Sequence, residues 1–193
     1  MKRILLAVAG LGAVAFANAG TYTFVPNPAN LDNLDHYKYY SWGINWALPQ
    51  TEVITEATLK IKNIYDWTEE ENDHLFTHLL DHPPLGFKTY TDDQGGGDAW
   101  AGQGVLIGDF SDPQGGSPRG YDLVYKFSEL GVLDKLNQFV QDGRFGFGFD
   151  PDCHYFNDGA SFTIKTESVP EPVSLVAVGA AVLGIARKRF ARK

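Results

Sequence analysis

The chain has 193 residues, with 16 Lys and Arg against 24 Asp and Glu and a formal charge of −8. That balance repels nucleic acid and anionic lipid, and it leaves metal cations, neutral glycans and basic proteins as the favoured partners. Cys153 is the only cysteine, so no intramolecular disulfide forms and burial must hold the fold together.

Lys2 and Arg3 open the chain, Ile4 to Phe16 is uncharged, and Ala17-Asn18-Ala19 offers the small-x-small pattern that signal peptidase accepts. The apolar run is too short for a membrane span of about 20 residues. Residues 1–19 are therefore expected to be a signal peptide, with Ala17 and Ala19 ahead of the cut and Gly20 as the first mature residue. From Gly20 to Val169 nine Lys and Arg face twenty-three Asp and Glu, so the domain itself stands near −14.

Most periodic runs in that domain have period two. Tyr37 to Leu48 opens the strand candidates, and Leu59 and Ile61 then alternate with Thr58, Lys60 and Lys62. Leu75, Thr77 and Leu79 alternate with Phe76, His78 and Leu80. His74, His78 and His82 would share a face on a helix, where zinc could bind, but the alternation suits a strand as well and solvated histidines are the preferred reading. Phe87 to Thr91 and Val105 to Phe110 are further strands, separated and followed by loops at 92–98 and 111–120 rich in Gly, Asp, Pro and Ser. Tyr121 to Phe127 alternates again. Ser128 then caps an expected helix whose stripe is Leu130, Leu133, Leu136 and Val140, ended by Gly143. Phe145, Phe147 and Phe149 alternate with Gly146 and Gly148, Asp150-Pro151-Asp152 reads as a turn, Asn157-Asp158-Gly159 as a hairpin, and Phe162 to Lys165 as the last strand. Short strands joined by turn chemistry predict an all-β sandwich over residues 20–168, with one short covering helix.

The chain closes with Val169-Pro170-Glu171-Pro172, fourteen uncharged residues from Val173 to Ala186, and a basic end at Arg187, Lys188, Arg189, Arg192 and Lys193. Residues 169–193 resemble a PEP-CTERM sorting tail, with Pro170, Glu171 and Pro172 as the sorting motif and 173–186 as its apolar helix. The resemblance implies a Gram-negative-type bacterium whose exosortase removes the tail near that motif. It also implies a surface or extracellular-matrix setting, linked with exopolysaccharide or biofilm. At 1.5 Å per residue the apolar run spans about 21 Å, short of a hydrocarbon core of about 30 Å, which suits a transient insertion. A plain C-terminal anchor is the alternative. Three stretches, His36 to Gly43, Asp92 to Gly104 and Phe149 to Gly159, resemble uncharacterised sandwich domains that accompany such tails, which implies a jelly-roll-like topology.

No residues are assigned to catalysis. Cys153 and His154 are adjacent, so on a strand they point to opposite faces, and Cys153 is read as a buried thiol. A glycosidase pair among the carboxylates stays open as a minor alternative. Asp32 and Asp35 precede the first long strand, and Asp150, Asp152, Asn157 and Asp158 flank the last hairpin. If the first and last strands are neighbours, these six converge as oxygen ligands for calcium, the one cofactor implied; Asp and Asn before turns also cap backbone groups without any ion. Trp42 and Trp46 share one strand face and read as core. Trp67 and Trp100 sit among acidic and Gly-rich residues and are the candidates for stacking on a sugar ring. The sequence thus supports a non-enzymatic exported protein, with a carbohydrate-binding module as the main alternative and a secreted glycoside hydrolase as a lesser one.

Overall fold

A computed structural model describes residues 20–68, 73–93, 96–112 and 120–169. The signal-peptide and sorting-tail assignments at 1–19 and 170–193 lie outside the described residues. Among the described residues, ten strands form two five-stranded sheets that face one another. The first sheet orders β1 (Gly20–Phe24), β10 (Ala160–Ser168), β3 (Glu52–Asp66) and β7 (Tyr121–Lys126), with β9 (Tyr155–Phe156) paired to the far end of β3. The second orders β5 (Gly86–Thr91), β2 (Lys38–Asn45), β8 (Arg144–Pro151), β4 (His74–Asp81) and β6 (Val105–Ser111). Every named strand pair is antiparallel. The architecture is an all-β sandwich, as the period-two runs predict.

The core follows from those runs. In β8 the residues Phe145, Phe147 and Phe149 turn inward, in register with Ile44, Trp42 and Tyr40 of β2. From the facing sheet Phe162 of β10 meets them, its ring centroid 4.8 Å from that of Phe147, edge to face. Aromatic pairs in that geometry add about 0.5–1.5 kcal/mol beyond the area they bury. Trp42 is buried and Trp46 packs against the core edge between Tyr22 and Phe24.

Three local expectations change. The single α-helix among the described residues, α1, spans only Leu133–Phe139, because Gly131 takes a left-handed φ of +68° and breaks the first turn expected after Ser128. Ser128 therefore caps nothing, and Leu130 is exposed instead of completing the buried stripe, while Leu136 and Val140 do enter the core. Residues 74–81 form a strand, which removes the three-histidine helix face: His74 pairs with Asp109, His78 with Asp98, and His82 with Asp81 and Asp142. Asp150 lies inside β8, paired with Phe76, and not in a turn beyond it. Among the described residues no helix is long and apolar enough to cross a membrane.

Candidate ligand-binding cleft

Alternation decides what the outer face of the second sheet presents. With the phenylalanines of β8 turned inward, Gly146, Gly148 and Asp150 face out, beside Tyr39 and Ser41 of β2, Tyr90 of β5 and His78 of β4. The glycines leave the sheet bare there. Trp100 lies against Gly148 so closely that a Cβ at that position would stand 2.8 Å from the indole. Tyr39 and Tyr90 stack at 4.8 Å, 18° from parallel, and Trp100 meets them nearly perpendicular, at 5.3 Å and 81° and at 6.1 Å and 85°. The three rings border a cleft of about 330 Å³, completed by Leu80, Pro83 and Pro84 and by the polar Asp81, His82 and Gln103.

Trp100 is only 7% exposed, so the expectation of a freely exposed ring is corrected: the glycine seat and the two tyrosines bury it, and it serves as a wall. Trp67 is 63% exposed, but it sits just past β3 and outside the cleft lining. Sequence reasoning missed Tyr39 and Tyr90. The period of the Tyr37 to Leu48 run places Tyr39 opposite the buried Tyr40; only the β2–β5 pairing brings Tyr90 to it.

The segment carrying Trp100 is fastened by acids. Asp98 accepts the Trp100 amide at 2.9 Å and approaches His78 Nε2 at 2.8 Å, while His78 Nδ1 lies 3.0 Å from the Gln103 carbonyl. One buried imidazole thereby ties both flanks of the turn to β4. Asp150 accepts the Ala99 amide at 2.6 Å, and Asp152 the Gly97 amide at 3.2 Å. The second oxygen of each, Oδ1, is buried without a hydrogen-bond partner among the described residues. Burial pushes the Asp150 carboxyl up to about 7; the Ala99 amide opposes this, and the nearby charges of Asp92, Asp152 and Asp98 reinforce it. Asp152 is likewise raised by burial, with the Gly97 amide and His74 working against it and Asp92 and Asp109 adding to it.

The six proposed calcium ligands do not form one oxygen cage. Asp150 and Asp152 hold the 97–99 turn. Asn157 donates to the Asn30 carbonyl at 2.8 Å and accepts the Gly159 amide at 3.0 Å, closing its own hairpin. Asp158 is exposed, Asp32 is exposed on a left-handed turn, and Asp35 is occupied with the Tyr37 amide and Lys38. Backbone amides absorb Asp35, Asp150, Asp152 and Asn157, the competing role that Asp and Asn play before turns. Besides Asp152, the acids that neighbour Asp150 are Asp92 and Asp98, from a loop whose Gly/Asp composition reads only as flexibility. Cys153 is buried.

Gly148→Ala tests the seat. The added methyl must displace the indole or the strand, and overpacking of this kind costs about 1–3 kcal/mol. The expected result is a lower unfolding midpoint together with a change in Trp100 fluorescence; unchanged fluorescence would show that the ring does not rest there.

The fold and cleft define an all-β sandwich with an aromatic-lined surface cleft. No family model matches the chain, and no curated protein does.

Proposed function

We propose that this chain is an exported, non-enzymatic protein of the bacterial surface or extracellular matrix whose sandwich holds a polysaccharide in the cleft beside Trp100. The observation that carries the reading is the corner of three rings, Tyr39, Tyr90 and Trp100, in an open cleft with Asp81, His82 and Gln103 among its lining. Sugar rings present C–H faces to aromatic surfaces and hydroxyls to polar side chains, and this cleft offers both. Asp81 is the one carboxylate among the described lining residues, whereas glycosidic cleavage uses two, which favours binding over hydrolysis.

A jelly roll is the topology this reading adopts. Supporting it, β1, β3, β7 and β10 share one sheet while β2, β4, β6 and β8 share the other, so the chain crosses between sheets in Greek-key fashion. The charged-apolar-small order of residues 1–19 and the Pro170-Glu171-Pro172 tail support export through signal peptidase and handling by exosortase, with the tail in the membrane until then. The acidic domain surface argues against nucleic acid as a partner.

Binding is measured on a panel of immobilised polysaccharides. Tyr39→Ala is expected to weaken retention at least tenfold, and Trp67→Ala, outside the cleft, to leave it unchanged. Equal retention by native protein and Tyr39→Ala would remove the cleft from the reading.

Calcium is the cofactor this reading favours, at a revised position. The orphaned Oδ1 atoms of Asp150 and Asp152, with Asp92 nearby, suit a hard cation that takes oxygen ligands. A ligand bound only to the native state raises its stability, so calcium should raise the unfolding midpoint at pH 8 relative to chelator. An unchanged midpoint would eliminate it.

A further inference from the structure

Two stretches far apart in sequence run together on the side where residues 29–36 lie along 154–160. The Ala160 amide donates to the Ala29 carbonyl at 2.8 Å, the Tyr155 amide to the Leu34 carbonyl at 3.1 Å, and the Asn157 side chain to the Asn30 carbonyl at 2.8 Å. That seam sets Asp35 and His36 against His154. One carboxylate oxygen of Asp35 and one ring nitrogen from each histidine all lie within 4.8 Å of one another, and all three residues are half-buried.

We infer that Asp35, His36 and His154 form a binding site for one divalent transition-metal ion, zinc in the first instance, which staples the segment ahead of β2 to the turn between β8 and β9. The donor set decides the metal. Two imidazole nitrogens and one carboxylate oxygen suit zinc and its neighbours, whereas calcium asks for six to eight oxygens. Spacing agrees with this. Two ligands held about 2.0–2.1 Å from one zinc at a tetrahedral angle stand about 3.3 Å apart. Asp35 Oδ1 and His36 Nδ1 are 3.8 Å apart, too far for a hydrogen bond and a few tenths of an ångström from sharing an ion.

The ligands are also held in place. The Asp35 amide donates to the buried Tyr40 hydroxyl at 2.8 Å, and its carboxylate accepts the Tyr37 amide at 3.3 Å. Lys38 takes Oδ2 at 3.3 Å, while Oδ1 accepts the Tyr37 amide and lies on the histidine side, where a carboxylate oxygen has a second lone pair to offer. The His36 ring packs on Tyr37 and the His154 ring on Phe156, with centroids 3.9 and 4.6 Å apart. Among the described residues neither nitrogen of His154 has a hydrogen-bond or ion-pair partner. A second cluster, Asp81, His82 and Asp142, lies on the exposed surface, and both nitrogens of its one imidazole already meet carboxylates, at 2.7 and 2.5 Å. It serves as the control.

The site stands independently of the polysaccharide reading. The purified protein, freed of metal, is titrated with zinc chloride by calorimetry and melted with and without zinc. One site is expected to take up zinc and raise the midpoint, with calcium failing to displace it. His154→Gln and His36→Gln should each weaken that site at least tenfold and abolish the visible absorption of the cobalt-substituted protein, while Asp142→Asn leaves both intact. The inference is overturned if native protein takes up no zinc, if both histidine variants retain native affinity, or if Asp142→Asn is the variant that loses it.

Discussion

In the presence of chelator, stability is expected to fall as pH rises from 4 to 8, and Asp150→Asn is expected to remove much of that fall. The Asp150 carboxyl moves from 3.8 to about 7 on folding, chiefly because burial penalises its charge. A group raised in the folded state binds more protons there, so its contribution is intact below the unfolded value and is lost as pH passes through the folded one. At 1.36 kcal/mol per unit the three-unit rise sets a ceiling of about 4 kcal/mol. Asparagine keeps an oxygen for the Ala99 amide and gives neighbouring carboxylates a donor. The variant should match native protein only below about pH 4, where the carboxyl is protonated in both states, and exceed it by a few kcal/mol at pH 8, measured by urea unfolding. Parallel pH profiles for the two proteins would show that Asp150 is not the titrating group. Asp35 and Asp122 are both lowered, so they act with the opposite sign and at lower pH.

Phe147→Ala is expected to cost about 3–5 kcal/mol, a large share of the 5–15 kcal/mol available to a domain. The ring is fully buried at the centre of the sandwich, with Phe162 at 4.8 Å, Trp42 at 5.6 Å, and Phe127 and Phe149 each at 6.3 Å. Rings from both sheets close around it, so no single neighbour can swing in to fill the space, and the cavity persists. The urea midpoint should drop while the slope stays constant. A loss below about 1 kcal/mol would mean that the core collapses around the gap and that the two sheets are less rigidly spaced than the register implies.

What could be read from the chain depended on how local the cause was. Phe145, Phe147 and Phe149 announce a strand because their alternation is set within five residues. The same stretch hides the reason for its glycines: Gly148 is bare so that Trp100, from a loop some fifty residues earlier, can lie on it, and no local pattern encodes that pairing. The helix was overextended because Leu130 fits the stripe, while Gly131, which breaks it, is a tolerable helix residue until its backbone is seen to be left-handed. Asp150 read as a turn residue because Asp-Pro-Asp is turn chemistry; its place in β8 follows from pairing with Phe76. The meeting of the segment before β2 with the last hairpin was foreseeable, but which side chains point into the meeting was not. His154 joined Asp35 and His36 in place of the expected oxygens.

The pairing of β1 with β10 carries a mechanical consequence. Gly20 stands opposite Thr166, and its amide donates to the Thr166 hydroxyl at 3.2 Å, so the first and last strands of the sandwich open at the same edge. Tension applied between those two points peels the pair apart one hydrogen bond at a time instead of shearing the whole ladder at once. A molecule gripped through both points is therefore weak under load, whereas one gripped through a single point transmits no force across its sheets.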